Sequence, residues 1–185
     1  MGEHEMIDRQ AVEATTDAVR NDPGLARVTF AVAGQWAGGF RIDSTTGKLR
    51  QGDATDASRT GRFTMSSDEP TSLLGADTAA SPGEYVAQAL AGCYTATLVT
   101  NATALGIGVR SMSVEVEVDF DLRGFLGLAS DAPVGASEVR VQVTLDAPGH
   151  APEEIRELIA VVERRSPIRD TLVRAVPVVT TLQIA

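Results

Sequence analysis

The sequence predicts an α+β fold in which helices pack on an antiparallel sheet. Three features of the 185-residue chain carry this reading: two long runs of strict apolar/polar alternation, one Ala/Leu-rich helical run from Pro82 to Leu105, and no alternation of strands with helices along the chain.

The elements follow in order. Met6 to Arg20 have helical composition and an acidic, polar face, and Asn21-Asp22-Pro23-Gly24 stops them. Residues 1–24 therefore read as a helical arm ahead of a domain spanning 25–185. Short strands are expected at Arg27 to Val32, with Val28, Phe30 and Val32 on one side, at Gly38 to Ile42 and at Arg62 to Met65. Arg50 to Thr60 and Asp68 to Ala80 are turn-rich and read as loops, the second as a wall for a site.

The long helix opens on Ser81 as N-cap, Pro82 at its first position and Glu84 three residues after the cap, an S-x-x-E capping box. Gly106 and Gly108 close it. Val86, Ala89, Leu90, Cys93 and Thr97 recur at helical spacing, which puts Cys93 on the apolar stripe. Ala87, Ala91, Gly92, Ala96 and Ala102 leave a small surface that another helix can approach closely.

Ser111 to Leu122 alternates Met112, Val114, Val116, Val118 and Phe120 against Ser113, Glu115, Glu117, Asp119 and Asp121. Ser137 to Leu145 does the same with Val139, Val141, Val143 and Leu145, after a loop from Arg123 to Ala136. The two runs are half-buried strands suited to antiparallel pairing. A second helix begins at Pro152, carries Glu153 and Glu154 in its first turn, shows Ile155, Leu158, Ile159 and Val162 at core spacing, and ends at Arg164-Arg165. Ser166 caps a short helix from Pro167 to Val173, and Val176 to Ile184 reads as a closing strand.

Composition narrows the function. A net charge of -9 with scattered cations disfavours nucleic acid, and the acidic start MGEHEMIDRQ with no apolar run of about 18 residues predicts no membrane span and a cytoplasmic protein. One cysteine and two histidines, His4 and His150, predict neither a disulfide framework nor a metal site, and no bound cofactor is expected. Lys48 is the only lysine among sixteen basic residues and sits in the turn-like TTGK, which argues against lysine nucleophile chemistry. No G-x-S-x-G elbow surrounds Ser166, and His150 has no triad context. Tyr85 and Tyr94 read as packing residues and Trp36 as an interface or core anchor. The lone Cys93 is either a small core hydrophobe or a reactive sulfur that depends on a partner from outside the chain.

The blocks DEP, LLGAD, SPGEYVAQALAGC, LGIGVRSMSVEVEVDFD and RRSPIRDTLVRAVPVVTTL resemble, in order and spacing, those of the OsmC/Ohr family, from about Leu25 to the C-terminus. The resemblance implies an intertwined homodimer with two long central helices between sheets, and sites at the subunit interface. It also implies that a helix cysteine reduces organic hydroperoxides and a second cysteine then closes a disulfide. Cys93 stands at the peroxidatic position. The second-cysteine position, before Pro in the last block, is Ser166, which cannot form the disulfide. The family glutamate directly after the helix-opening proline is replaced by Gly83, and Glu84 occupies the next position, where the capping box also accounts for it. The family arginine has an offset counterpart in Arg41 of Gly38-Gly39-Phe40-Arg41, with Arg27 the other well-placed candidate and Arg62 and Arg169 further off.

A peroxidatic cysteine attacks as a thiolate, and a free thiol has a pKa of about 8.5, so cationic or dipolar help is needed. Cys93 lies about three turns inside its helix, beyond the reach of the N-terminal dipole. Two readings follow. The first is a one-cysteine, thiol-dependent peroxidase for organic hydroperoxides, recycled by an external thiol reductant and serving oxidative stress defence. The second is a non-redox protein that binds a small hydrophobic molecule in the dimer-interface pocket.

Overall fold

The computed structural model describes residues 6–184; the first five residues of the arm, His4 included, lie outside them. Helix α1 (Arg9–Asn21) starts where the Asp8 carboxylate accepts the Gln10 N–H and ends at Asp22, whose side chain then caps a 3-10 turn at Pro23–Ala26. Strands β1 (Val28–Thr29), β2 (Val32–Gly38), β3 (Arg41–Thr46), β4 (Leu49–Gln51), β5 (Ala54–Asp56) and β6 (Thr64–Ser67) follow. They form two three-stranded antiparallel sheets in the orders β1-β4-β5 and β2-β3-β6.

Three expectations are corrected in this region. Gly38 to Ile42 is not a strand of its own: it holds the end of β2, the Gly39-Phe40 turn and the start of β3. The stretch from Arg27 to Val32 is not one strand: it splits between the two sheets, with Gly47 N–H donating to the Ala31 carbonyl at the break. The segment expected to be loop at Arg50 to Thr60 instead carries β5 and the end of β4. Main-chain pairing suffices for such short strands, which leave no alternation to read.

Helix α2 (Pro82–Leu105) is opened by the expected reciprocal cap, Ser81 N–H to Glu84 Oε2 at 2.7 Å and Glu84 N–H to Ser81 Oγ at 3.2 Å. Strands β7 (Ser111–Asp119) and β8 (Glu138–Asp146) pair antiparallel, with Arg110 N–H donating to the Asp146 carbonyl at one end and Ser137 N–H to the Asp119 carbonyl at the other. β7 stops short of the expected Leu122 because the Asp121 carboxylate takes the Arg123 N–H and starts the one-turn helix α3 (Leu122–Phe125). Helices α4 (Pro152–Arg165) and α5 (Pro167–Val173) match expectation. The closing strand does not form: Val176 to Ile184 runs without secondary structure, and Val178, Val179, Leu182 and Ile184 are exposed. An alternating segment becomes a strand only when a neighbour takes its N–H and C=O groups.

The chain divides into two compact units. One holds residues 7–88 and 118–139, with both three-stranded sheets; the other holds, of the described residues, Met6, 89–117 and 140–184. The second contains the buried core: Leu90, Tyr94, Leu98 and Ala102 of α2, Ile107, and Leu158 and Val162 of α4. The buried stripe of α2 therefore runs through Leu90, Tyr94 and Leu98. Cys93 and Thr97 flank it half-buried, and Ala89 is exposed. A helix that is apolar almost all round has no periodicity to choose its inner face. Tyr94 is a packing residue, as expected. Trp36 is not a core anchor, being 77% exposed with its Nε1–H on the Gly39 carbonyl. Among the described residues no helix is long and apolar enough to cross a membrane.

Candidate functional site

The cysteine's surroundings are built from α2, the end of α4 and the start of α5. Arg165 Nη1 donates to Asn101 Oδ1 at 2.9 Å, joining the last turn of α4 to α2. Ser166 follows, 1% exposed, and Pro167 opens α5 at its first position. The Ser166 hydroxyl oxygen accepts the Arg169 N–H at 3.4 Å, the N-cap bond expected from sequence. Its proton remains available and is donated to Cys93 Sγ at 3.1 Å. The backbone N–H of Ile168, one of the first N–H groups of α5 that have no helical carbonyl to bond, donates to the same sulfur at 3.4 Å. Among the described residues the donors to Sγ are thus a buried hydroxyl and a main-chain amide, and neither is a guanidinium. Both donors point at the sulfur from the start of α5.

Arg169 belongs to the same unit; its Nη1 donates to the Glu163 carbonyl at 3.3 Å. Tyr94, next in sequence to Cys93, has its phenol pushed above the ordinary range by burial, an effect opposed by the nearby Arg169 charge. The Ile168 amide was not foreseen from sequence, although Ser-Pro at a helix start signals unpaired N–H groups.

The other candidates lie in the unit that holds the sheets. Arg41 opens β3 immediately after the two-residue turn Gly39-Phe40, where Gly39 takes φ +54°, a conformation that favours glycine. Arg41 and Asp43 share a face of β3, and register places Asp43 opposite Ser66 on β6. Arg41 Nη2 lies 2.8 Å from Asp43 Oδ1 and 3.2 Å from Ser66 Oγ, and Nη1 donates to Thr78 Oγ1 at 2.8 Å. Ser66 and Arg41 hold the Asp43 carboxyl below its ordinary range. The group borders an open hollow of about 700 Å³ that Trp36, Ser44 and Met65 also line.

Asp68 follows two residues after Ser66 and is 1% exposed. It accepts the Thr78 hydroxyl at 2.8 Å, the Thr78 N–H at 3.1 Å and the Glu69 N–H at 2.9 Å, and the Thr78 hydroxyl leads the causes that hold it ionised below its usual range. Sequence reading missed Asp43, Ser66, Asp68 and Thr78 as a group; the two-residue spacings 41/43 and 66/68 were the signal available. Arg27 is exposed, and its main chain closes a turn, with its N–H on the Gly24 carbonyl. Arg62 is exposed and stacks on Phe63 at 5.3 Å. Glu84 is engaged as a cap, and its acceptance of the Ser81 N–H lowers its pKa. A Cβ on Gly83 would come within 3.1 Å of the Phe120 ring, so a phenyl edge stands where a side chain would leave that position.

Comparison with known proteins bears on this arrangement. The model for the family described as OsmC-like protein matches residues 75–181, more than half of the chain. No curated protein sequence matches. Among solved structures, the chain is similar to an OsmC-like protein from Mycoplasma pneumoniae (TM-score 0.61, 18% identity, 78% of this chain and 86% of that one). It is similar also to an organic hydroperoxide resistance protein OsmC from Legionella pneumophila (TM-score 0.56, 18% identity, 78% and 88%). A third is an organic hydroperoxide resistance protein from Elizabethkingia anophelis with thiocyanate bound (TM-score 0.53, 19% identity, 77% and 86%). At these identities the likeness is one of fold.

Proposed function

The chain belongs to the OsmC-like protein family, and from that premise we propose that it is a one-cysteine, thiol-dependent peroxidase acting on organic hydroperoxides. The observation that carries this reading is the Ser166 hydroxyl donating to Cys93 Sγ at 3.1 Å. Two of the solved structures it resembles are named as organic hydroperoxide resistance proteins.

In the proposed cycle the Cys93 thiolate attacks the terminal oxygen of R–O–OH. The S–O bond forms and the O–O bond breaks; the terminal oxygen keeps its proton and stays on sulfur as sulfenic acid, while the alkoxide R–O⁻ takes up from water the proton given up when the thiol ionised and leaves as R–OH, so that sulfur is oxidised as the peroxide is reduced. Arg41 is the cation this reading calls on to meet negative charge on the peroxide oxygens. Ser166 cannot resolve the sulfenic acid, so an external thiol attacks the oxidised sulfur, releasing water and leaving a mixed disulfide. A second external thiol displaces Cys93 and carries away the disulfide. No bound cofactor enters the cycle, and a thiol reductant at working concentration suits the cytoplasm.

The same reading takes the protein as a homodimer. Gly92, Ala96 and Thr100 form an exposed ridge of small residues along α2, and the C-terminal segment from Val176 carries exposed apolar side chains with no strand beside it among the described residues.

The test is titration of the purified protein with an organic hydroperoxide and an excess of small thiol, with mass spectrometry of Cys93. Hydroperoxide consumption, a sulfenic acid on Cys93 and inactivity of Cys93→Ser are expected; no consumption with any thiol sinks the reading. The Gly83–Phe120 packing favours a second reading, a non-redox carrier of a small hydrophobic molecule, since it sets an apolar edge where the family has an acid. Retained binding of a fluorescent fatty acid by Cys93→Ser, with no peroxide consumption by the unaltered protein, supports that alternative.

A further inference from the structure

Arg41 is tied more firmly than a surface cation requires. Each hydroxyl that it meets is itself committed to a carboxylate: Ser66 Oγ donates to Asp43 Oδ1 at 2.6 Å, and Thr78 Oγ1 donates to Asp68 Oδ2 at 2.8 Å. A hydroxyl has one proton, so both oxygens present only lone pairs to the guanidinium. Two hydroxyl–carboxylate relays therefore converge on one side chain from β3, from β6 and from the loop between β6 and α2.

The loop is shaped to deliver its half of the clamp. Asp77 N–H donates to the Glu69 carbonyl, and Gly75 N–H to the Pro70 carbonyl. A Cβ on Gly75 would lie 1.7 Å from the Glu69 carbonyl oxygen. Asp68 is buried, yet its charge is met by the N–H groups of Glu69, Ala76 and Thr78 and by the Thr78 hydroxyl rather than, among the described residues, by direct contact with a cation. A carboxylate removed from water needs such compensation, and here one compensating group also grips Arg41.

We infer that Thr78 and Asp68 are positioning residues that fix the Arg41 guanidinium in one orientation on the hollow beside Trp36 and Met65. The inference rests on the peroxidase reading for its use, since a preset guanidinium meets developing charge on oxygen without reorganising. The clamp itself is a property of the fold.

The test separates the two. ¹⁵N NMR of the guanidinium reads rotation about the Arg41 Cζ–Nη bonds in the full-length protein. Slow rotation in the unaltered chain, acceleration of roughly tenfold or more in Thr78→Val and Asp68→Asn, and restoration in Thr78→Ser are expected, with unchanged amide spectra elsewhere showing an intact fold. Rotation in Thr78→Val within about twofold of the unaltered chain overturns the clamp. In the hydroperoxide assay, Thr78→Val lowers kcat/KM roughly tenfold toward the level of Arg41→Met, and the double variant is no worse than Arg41→Met alone. Full activity of Thr78→Val beside a crippled Arg41→Met overturns the catalytic use of the clamp. An inactive unaltered protein overturns the peroxidase reading, and the rotation measurement still decides the clamp.

Discussion

Ser166 stands to Cys93 as a hydrogen-bond donor, its buried hydroxyl 3.1 Å from the sulfur and its oxygen engaged by the Arg169 N–H. The position that the family resemblance assigns to a second cysteine is thus occupied by a group that can stabilise a thiolate but cannot resolve an oxidised one. Ser166→Ala is expected to slow alkylation of Cys93 by iodoacetamide at neutral pH roughly tenfold, the equivalent of about 1.5 kcal/mol for a hydrogen bond to a charged acceptor. An unchanged rate assigns Ser166 to capping alone.

Ser166→Cys is expected to convert the pair into a disulfide. One equivalent of hydroperoxide should remove both free thiols and leave a reducible intramolecular bond, because the side chains already meet and a small adjustment suffices to reach an S–S length of about 2.05 Å. Persistence of a free thiol at position 166 after oxidation of Cys93 contradicts the geometry.

The role of Glu84 is decided by a pair of changes at the start of α2. Ser81→Ala is expected to lower stability by about 1 kcal/mol with no effect on hydroperoxide turnover. Glu84→Gln keeps an acceptor for the Ser81 N–H and should leave turnover unchanged; a large fall in kcat would make Glu84 a catalytic acid instead.

Asp68 ties stability to acid pH. Its carboxyl is held below the ordinary range in the folded protein, with the Thr78 hydroxyl the leading cause. That contribution is therefore complete above the unfolded-state value, about 3.9, and is lost as pH falls through the lower folded-state value. Melting curves should show Asp68→Asn several degrees less stable than the unaltered chain at neutral pH, with the gap narrowing below about pH 4. A constant gap at every pH assigns the loss to packing.

Association is tested on the exposed ridge of α2. Ala96→Leu is expected to leave the monomer's circular dichroism intact and to weaken the proposed dimer in sedimentation, whereas Leu98→Ala, at a fully buried position, should cost about 3 kcal/mol of stability. Unaltered sedimentation of Ala96→Leu removes this ridge from the proposed interface.

Local signals proved legible where the chemistry is local. The Ser81–Glu84 box, the Asn21-Asp22-Pro23-Gly24 stop, the Ser166 cap and the alternation of β7 and β8 involve residues within a few positions of one another, and all form, with β7 ending at Asp119 rather than Leu122. Misreadings came where a neighbour distant in sequence decides. Val176 to Ile184 has strand composition but, among the described residues, no partner strand, and the inner face of α2 passes through Tyr94 and Leu98 rather than Cys93, because packing selects among apolar faces that periodicity leaves equal.

The sequence by itself determined the α+β class, the boundaries of the long helices, the single thiol, and the serine in place of a second cysteine. Only the tertiary structure decided what surrounds them: a hydroxyl and an Ile168 amide brought to Cys93 from more than seventy residues away, and a guanidinium held by Asp43, Ser66 and Thr78. Capping and alternation are encoded in short stretches of backbone chemistry. The direction of a hydrogen bond between distant side chains is set by the packing that brings them together.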